Sequence, residues 1–280
     1  MKKTLLFLFL SLIFNYTFSQ NEAELNSKGI QFAKAGNLDK ALETFKKIIE
    51  INPNSIGANT NIGNIYRIKK DYQSAINYYS KSFEISPNLN VLFSRANTYL
   101  DSEQIEKSII DYTLIIEKDE NFNSIYFDRA YAYIRIKNYE KAKIDLEKQL
   151  VLKPNDFKSL ANLINVKKLL GQTDSLSNDY AQILKKFPNN ENKYILYNNW
   201  ANLYVELNQL DKALEKINLA LKENKKYDLG YLNKGEIYLK LGNIKKACKN
   251  YEKALKLNVL QNKHFEADQD YIDLKNACEK

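Results

Sequence analysis

The segments NLDKALETFKKIIEINPN, residues 37–54, and DYQSAINYYSKSFEISPN, residues 71–88, decide the fold of this chain. Laid over each other, they put Ala41 on Ala75, Phe45 on Tyr79, Ile49 on Phe83 and Pro53 on Pro87. Apolar residues at intervals of three and four mark an amphipathic helix. A proline just beyond its end stops it, because proline lacks the amide N–H and its ring clashes with the preceding turn. The same register runs outward: Pro53 and Pro87 lie 34 residues apart, as do Pro154 and Pro188, and the chain has only these four prolines. A period of roughly 20 to 50 residues signals a stack of like units rather than one globular core.

Each unit reads as two short helices joined by a tight turn. In the first, Leu25, Gly29 and Phe32 precede a turn at Gly36, and Leu38, Ala41, Phe45 and Ile49 precede Pro53. The second repeats this with Gly63, Tyr66, Tyr72, Ala75, Tyr79, Phe83 and Pro87, and the last with Tyr231, Gly235, Tyr238, Gly242, Ala247, Tyr251 and Ala254. This order of small and aromatic residues with a terminal proline resembles the tetratricopeptide repeat family over residues 22–261. The resemblance implies an all-α fold, a right-handed α-solenoid of about seven helix-turn-helix repeats. These are placed at 22–55, 56–88, 89–122, 123–156, 157–190, 194–227 and 228–261, followed by a C-terminal capping helix within 262–280. Small residues are expected to meet where paired helices cross: Gly29 with Ala41, Gly63 with Ala75, Ala96 with Ser108, Ala130 with Ala142, Ala201 with Ala213, Gly235 with Ala247. The fifth unit puts Ile164 and Leu176 in both small positions and Lys167 in place of the usual aromatic, so its helices are expected to sit further apart. Glu120, Lys225 and Val259 stand where other units have proline, which predicts more continuous helix ends there.

Residues 1–19 differ from the rest. Lys2 and Lys3, an apolar run from Leu5 to Phe14, and small residues Thr17 and Ser19 read as a secretory signal peptide cut after Ser19. An uncleaved anchor is the other reading, but Asn15 closes the run short of the roughly 20 residues a spanning helix needs. The expectation is an exported bacterial protein, periplasmic or secreted, with no integral membrane span after cleavage. The formal charge is +8, yet only Arg67, Arg95, Arg129 and Arg135 are arginines and the lysines are scattered. That pattern fits solvated helix faces and argues against a nucleic-acid partner. No glycine cluster could cradle a phosphate. His264 is the sole histidine, far in sequence from both cysteines, so no metal, cofactor or enzyme activity is expected. In an oxidising compartment Cys248 and Cys278 form a disulfide if a final helix, roughly Phe265 to Ala277, folds back over the last repeat. Two buried free thiols are the alternative.

The resemblance further implies that the first helix of each repeat lines a concave surface that binds extended peptides. By helical phase that face carries Asn61 and Asn64, Asn97, Asn162 and Asn165, Asn199 and Asn202, and Asn233. A primary amide both donates and accepts, so such a row can pair with a peptide backbone without reading its sequence. Family habit at these positions is the other account of the row. Phe93, Phe127 and Tyr131, with Leu100 and Ile134, are expected to gather as an apolar patch for partner side chains, or to pack adjacent first helices together. A clamp for a C-terminal carboxylate is not supported: Asn26 and Ile30 hold its opening positions, but Asn90 and Ser94 its basic closing ones. The expected function is a non-catalytic scaffold that holds a peptide or partner protein. The alternative is a self-associating structural component of an envelope assembly. Residues that serve packing name neither the partner nor the oligomeric state.

Overall fold

A computed structural model describes residues 21–257 and 268–279. The expected leader at 1–19, Val259 and His264 lie outside the described residues. Those described form fifteen helices and no strand, in consecutive pairs. The chain divides into two compact units at Pro154 and Asn155. The first holds α1 (21–34) with α2 (Leu38–Ile51), α3 (Ile56–Ile68) with α4 (Tyr72–Ile85), α5 (Leu89–Asp101) with α6 (Ile105–Lys118), and α7 (Ile125–Arg135) with α8 (Tyr139–Leu152). The second holds α9 (Phe157–Leu169) with α10 (Leu176–Lys186), α11 (Lys193–Glu206) with α12 (Leu210–Glu223), α13 (Asp228–Lys240) with α14 (Ile244–Lys256), and α15 (Gln269–Cys278).

One turn closes all seven pairs. Where the first helix ends, a single residue takes left-handed φ: Gly36 (76°), Lys70 (61°), Glu103 (61°), Lys137 (58°), Gly171 (72°), Asn208 (55°) and Gly242 (74°). The next amide bonds a carbonyl five residues back, as Asn37 to Phe32 and Asp71 to Tyr66, both at 2.9 Å. This satisfies carbonyls that the helix end leaves open. The ends at Glu120 and Lys225 do not run on as the missing prolines suggested. α6 stops at Lys118 and α12 at Glu223 because a side chain replaces the proline ring as the stop. Asp119 Oδ1 accepts from the Asn121 amide and Asn224 Oδ1 from the Lys226 amide, each at 3.0 Å. Such local turns are the habit of Asp and Asn.

The helix crossings differ in detail from the expected pairs of small residues. The alanines at Ala41, Ala75, Ala96, Ala130, Ala142, Ala201, Ala213 and Ala247 are fully buried. The atoms nearest a Cβ placed on Gly29, however, belong to the Phe45 ring (2.7 Å), and on Gly63 to the Tyr79 ring (2.8 Å). Glycine there admits an aromatic ring one turn beyond the alanine. At Gly235 the nearest atom is Leu274 of α15 (3.0 Å), followed by the Ala247 carbonyl (3.1 Å).

The fifth pair is irregular. Ile164 and Leu176 are both buried, and α10 begins only at Leu176, running 11 residues where α8 and α12 run 14. A cavity of about 180 Å³ opens between α9 and α10. α15 caps the second unit by burying Tyr271 and Leu274 among Leu232, Ala247, Tyr251 and Ala254.

Candidate functional site

In the first unit, two asparagines of the expected row are held by tyrosines of the partner helix. The Tyr79 hydroxyl of α4 donates to Asn64 Oδ1 of α3 at 2.6 Å, and the Tyr112 hydroxyl of α6 donates to Asn97 Oδ1 of α5 at 2.6 Å. Both phenols hold their protons, since burial pushes Tyr79 up to about 12 and Tyr112 higher still. Each carbonyl is held by a tyrosine through one of its two lone pairs, and the NH₂ group of each amide remains a donor. Asn64 is exposed and Asn97 half-buried. Asn61 Nδ2 donates across to Asn26 Oδ1 of α1 at 3.4 Å, which links neighbouring first helices.

The three aromatics differ in burial and surroundings. Phe93 packs edge-on to Phe122 (centroids 5.7 Å apart) and tilted to Tyr112 (6.1 Å), within the core around Leu92 and Ala96. Phe127 is half-buried, and Tyr131 is 43% exposed. Phe93 serves packing, because α5 needs a bulky residue against the loop that carries Phe122.

In the second unit the amides bond chiefly to one another. Asn233 of α13, 8% exposed, donates to Asn198 Oδ1 (2.8 Å) and Asn202 Oδ1 (3.2 Å) of α11. Asn199 Oδ1 accepts from Asn198 at 3.4 Å, Asn162 donates to the Lys158 carbonyl of its own helix at 2.9 Å, and Asn165 is half-buried. Asn202 and Asn233 line a pocket of about 350 Å³ together with Lys168, Glu206, Leu229, Glu236 and two residues before and within α15, Asp268 and Asp270. Glu236 occupies in α13 the position that Asn64 has in α3. Burial, with Asp268 and Asp270 nearby, raises its carboxyl to about 8 against the pull of Lys240, so at neutral pH it carries a proton and can donate. Glu206 is paired with Lys168 (2.6 Å) and Asp270 with Lys240 (2.7 Å). The repeat register could have pointed to Glu236. Asp268 and Asp270 reach the pocket only through the docking of α15, which no local pattern reveals.

Cys248 of α14 and Cys278 of α15 lie with sulfurs 2.08 Å and Cα atoms 5.1 Å apart, beside a bond from the Tyr251 hydroxyl to Glu279 Oε1 at 3.0 Å. Among the described residues, no group of three or more His, Cys, Asp or Glu could hold a metal ion. No described helix is long and apolar enough to cross a membrane.

Comparison with known proteins agrees with this architecture. A solved tetratricopeptide repeat protein from Parabacteroides merdae superposes with a TM-score of 0.72 at 22% identity, covering 93% of this chain and all of that one. The C-terminal part of a repeat-containing protein from Cytophaga hutchinsonii gives 0.67 at 16% identity, covering 89% of this chain and 98% of that one. At these identities the likeness is one of fold. Among curated relatives, a DnaJ homolog subfamily C member 7 homolog from Dictyostelium discoideum is 27% identical over 183 residues, 59% of this chain and 34% of that protein. Serine/threonine-protein phosphatase 5 from Rattus norvegicus is 32% identical over 94 residues, 33% of this chain and 19% of that protein. The chain thus spans about a third or less of the length of these two relatives. Tetratricopeptide repeat profiles match residues 28–55, 56–89, 124–156 and 230–258, and those segments of the chain are tetratricopeptide repeats.

Proposed function

We propose that this chain is a non-catalytic scaffold that holds an extended peptide, or an extended segment of a partner protein, against its first helices. Tetratricopeptide repeats generally mediate protein–protein interactions. The observation that carries the reading is the pair of amides at Asn64 and Asn97, each held through its carbonyl by a buried tyrosine that leaves its N–H donors for a ligand. Preset donors lose little entropy on meeting backbone carbonyls, and they do so whatever the peptide's side chains. In the second unit, Asn202 and the protonated Glu236 offer similar polar groups in their pocket. We place the protein outside the cytoplasm. The basic, apolar and small residues of 1–19 support this, as does the approach of Cys248 to Cys278, a bridge that an oxidising compartment preserves.

Panning a random peptide library on the folded protein tests the reading. Selected peptides should shift the side-chain NH₂ resonances of Asn64 and Asn97. Binders that leave both unshifted overturn it.

The alternative is self-association, favoured by apolar residues exposed on second helices of the first unit: Ile110 on α6, and Ile144 and Val151 on α8, are 59%, 62% and 73% exposed. Sedimentation of the wild type and of Ile144→Glu separates the two readings. Assembly lost in the variant, with peptide binding absent from both proteins, supports the alternative.

A further inference from the structure

Two arginines of the first unit fill equivalent positions between paired helices. Arg95 of α5 donates from Nε and Nη2 to both oxygens of Asp111 on α6 (2.8 and 2.9 Å), and Arg129 of α7 does the same to Asp145 on α8 (2.8 and 2.7 Å). Each guanidinium gives a further bond to the second helix of the preceding pair, to Ser80 Oγ or Thr113 Oγ1, both at 3.0 Å. Each lies within 5.9 Å of a ring one turn on, Tyr99 or Tyr133. The aspartates are almost completely buried, at 3% and 2% exposed. Fork-to-fork pairing of this kind is the strongest form of side-chain recognition for a carboxylate.

The series continues at the same 34-residue step into the fifth pair, but only on one side. Asp179 follows Asp111 and Asp145, whereas the arginine position is Leu163 and the tyrosine position is Lys167. The cavity of about 180 Å³ between α9 and α10 is bounded by both Leu163 and Asp179, with Leu160, Ile164 and Ile183 as apolar walls. Lys167 Nζ (2.8 Å) and Ser175 Oγ (3.4 Å) both address Asp179 Oδ2. Neither bond uses Oδ1, the second oxygen that arginine engages in the other two pairs. Gln182 and, about two turns along α10 from Asp179, Lys186 also line the cavity. Apolar cavities of about 150 Å³ admit benzene-sized guests, so a guanidinium on its short aliphatic stem is of suitable size.

We propose that the cleft between α9 and α10 is a binding site for an arginine side chain of a partner protein, with Asp179 as its carboxylate and Leu160, Leu163 and Ile183 around its stem. The guest takes the place that Arg95 and Arg129 fill from within the chain. It competes with Lys167, whose single flexible ammonium matches a carboxylate less well than a planar fork. This site is independent of the amides at Asn64 and Asn97.

The probe is Nα-acetyl-arginine methylamide, with its citrulline counterpart as uncharged control, followed through backbone amide resonances of residues 157–190 in the full chain. The arginine compound should give saturable shifts, and the citrulline compound should bind about tenfold or more weakly, as expected for losing a charged hydrogen-bond partner. Lys167→Ala should tighten binding by removing the competitor, and Asp179→Asn should abolish it. Leu163→Arg, which copies the Arg129–Asp145 pair, should fill the cleft from within, abolish binding and raise the melting temperature. The Asn64→Ala/Asn97→Ala variant should bind the probe as the wild type does. Equal binding of the two compounds, undiminished binding by Leu163→Arg, or no saturable shift up to the probe's solubility limit overturns the proposal.

Discussion

Two glycines of α3 give a paired test of how the helices close. A Cβ at Gly63 would lie 2.8 Å from Tyr79 Cε1, 2.9 Å from Cδ1 and 3.2 Å from Cζ, where carbon atoms prefer about 3.5–4.0 Å. The ring has little room to retreat, being 1% exposed and tied through its hydroxyl to Asn64. Gly63→Ala should therefore carry an overpacking cost of about 1–3 kcal/mol, offset by up to about 1 kcal/mol of helix propensity. Gly57→Ala in the same helix meets nothing within 4 Å and gains propensity alone. The difference between the two variants isolates the ring contact, at about 1–3 kcal/mol in favour of Gly57→Ala. Urea denaturation followed by circular dichroism, with amide exchange in α3 and α4 as the local readout, measures it. Two variants of equal stability and equal protection would refute the argument that glycine at 63 exists to admit the Tyr79 ring.

Further outcomes follow from single features of the structure. Glu236 keeps its proton up to about pH 8 in the folded chain but loses it near 4.5, the ordinary value for a glutamate, when unfolded. The folded state then binds more protons between those values, so stability falls as pH rises through that window, by up to a few kcal/mol. Glu236→Gln should flatten the pH dependence of melting for the second unit, and parallel profiles would contradict the assignment. Lys70 holds a left-handed φ of 61° that suits glycine better, so Lys70→Gly should gain up to about 1 kcal/mol; a lower melting temperature would show that the turn is not strained. The Cys248–Cys278 bridge, 30 residues apart in sequence, should stabilise the α15 cap by about 3–4 kcal/mol in the chain-entropy account. Intact mass after alkylation should show no modified thiol until reductant is added, and two modified thiols without reductant would refute the bridge.

The repeat register was legible because proline and alternating small and aromatic residues recur at a fixed step. What the sequence concealed are interactions between helices. Lys70, Glu103 and Lys137 give no local sign of a left-handed turn, since the backbone bond across the helix end imposes that conformation. The missing prolines at Glu120 and Lys225 do not lengthen the helices, because Asp119 and Asn224 stop them with a side-chain oxygen instead of a ring. Helical phase placed Asn64 and Asn97 on one face, but the tyrosines that orient them lie on the following helices. The loss of arginine at Leu163 becomes meaningful only once the Arg95 and Arg129 pairs are seen. Asp268 and Asp270 join Glu236 through the docking of α15, a tertiary event that periodicity cannot encode.

The central claim is that the amides of Asn64 and Asn97, held by tyrosines, bind a peptide backbone. Titration of one library-selected peptide into the wild type and into the Asn64→Ala/Asn97→Ala variant tests it most directly. The account predicts that the variant, still folded by circular dichroism, binds about tenfold or more weakly. Equal affinity in the two proteins would contradict it.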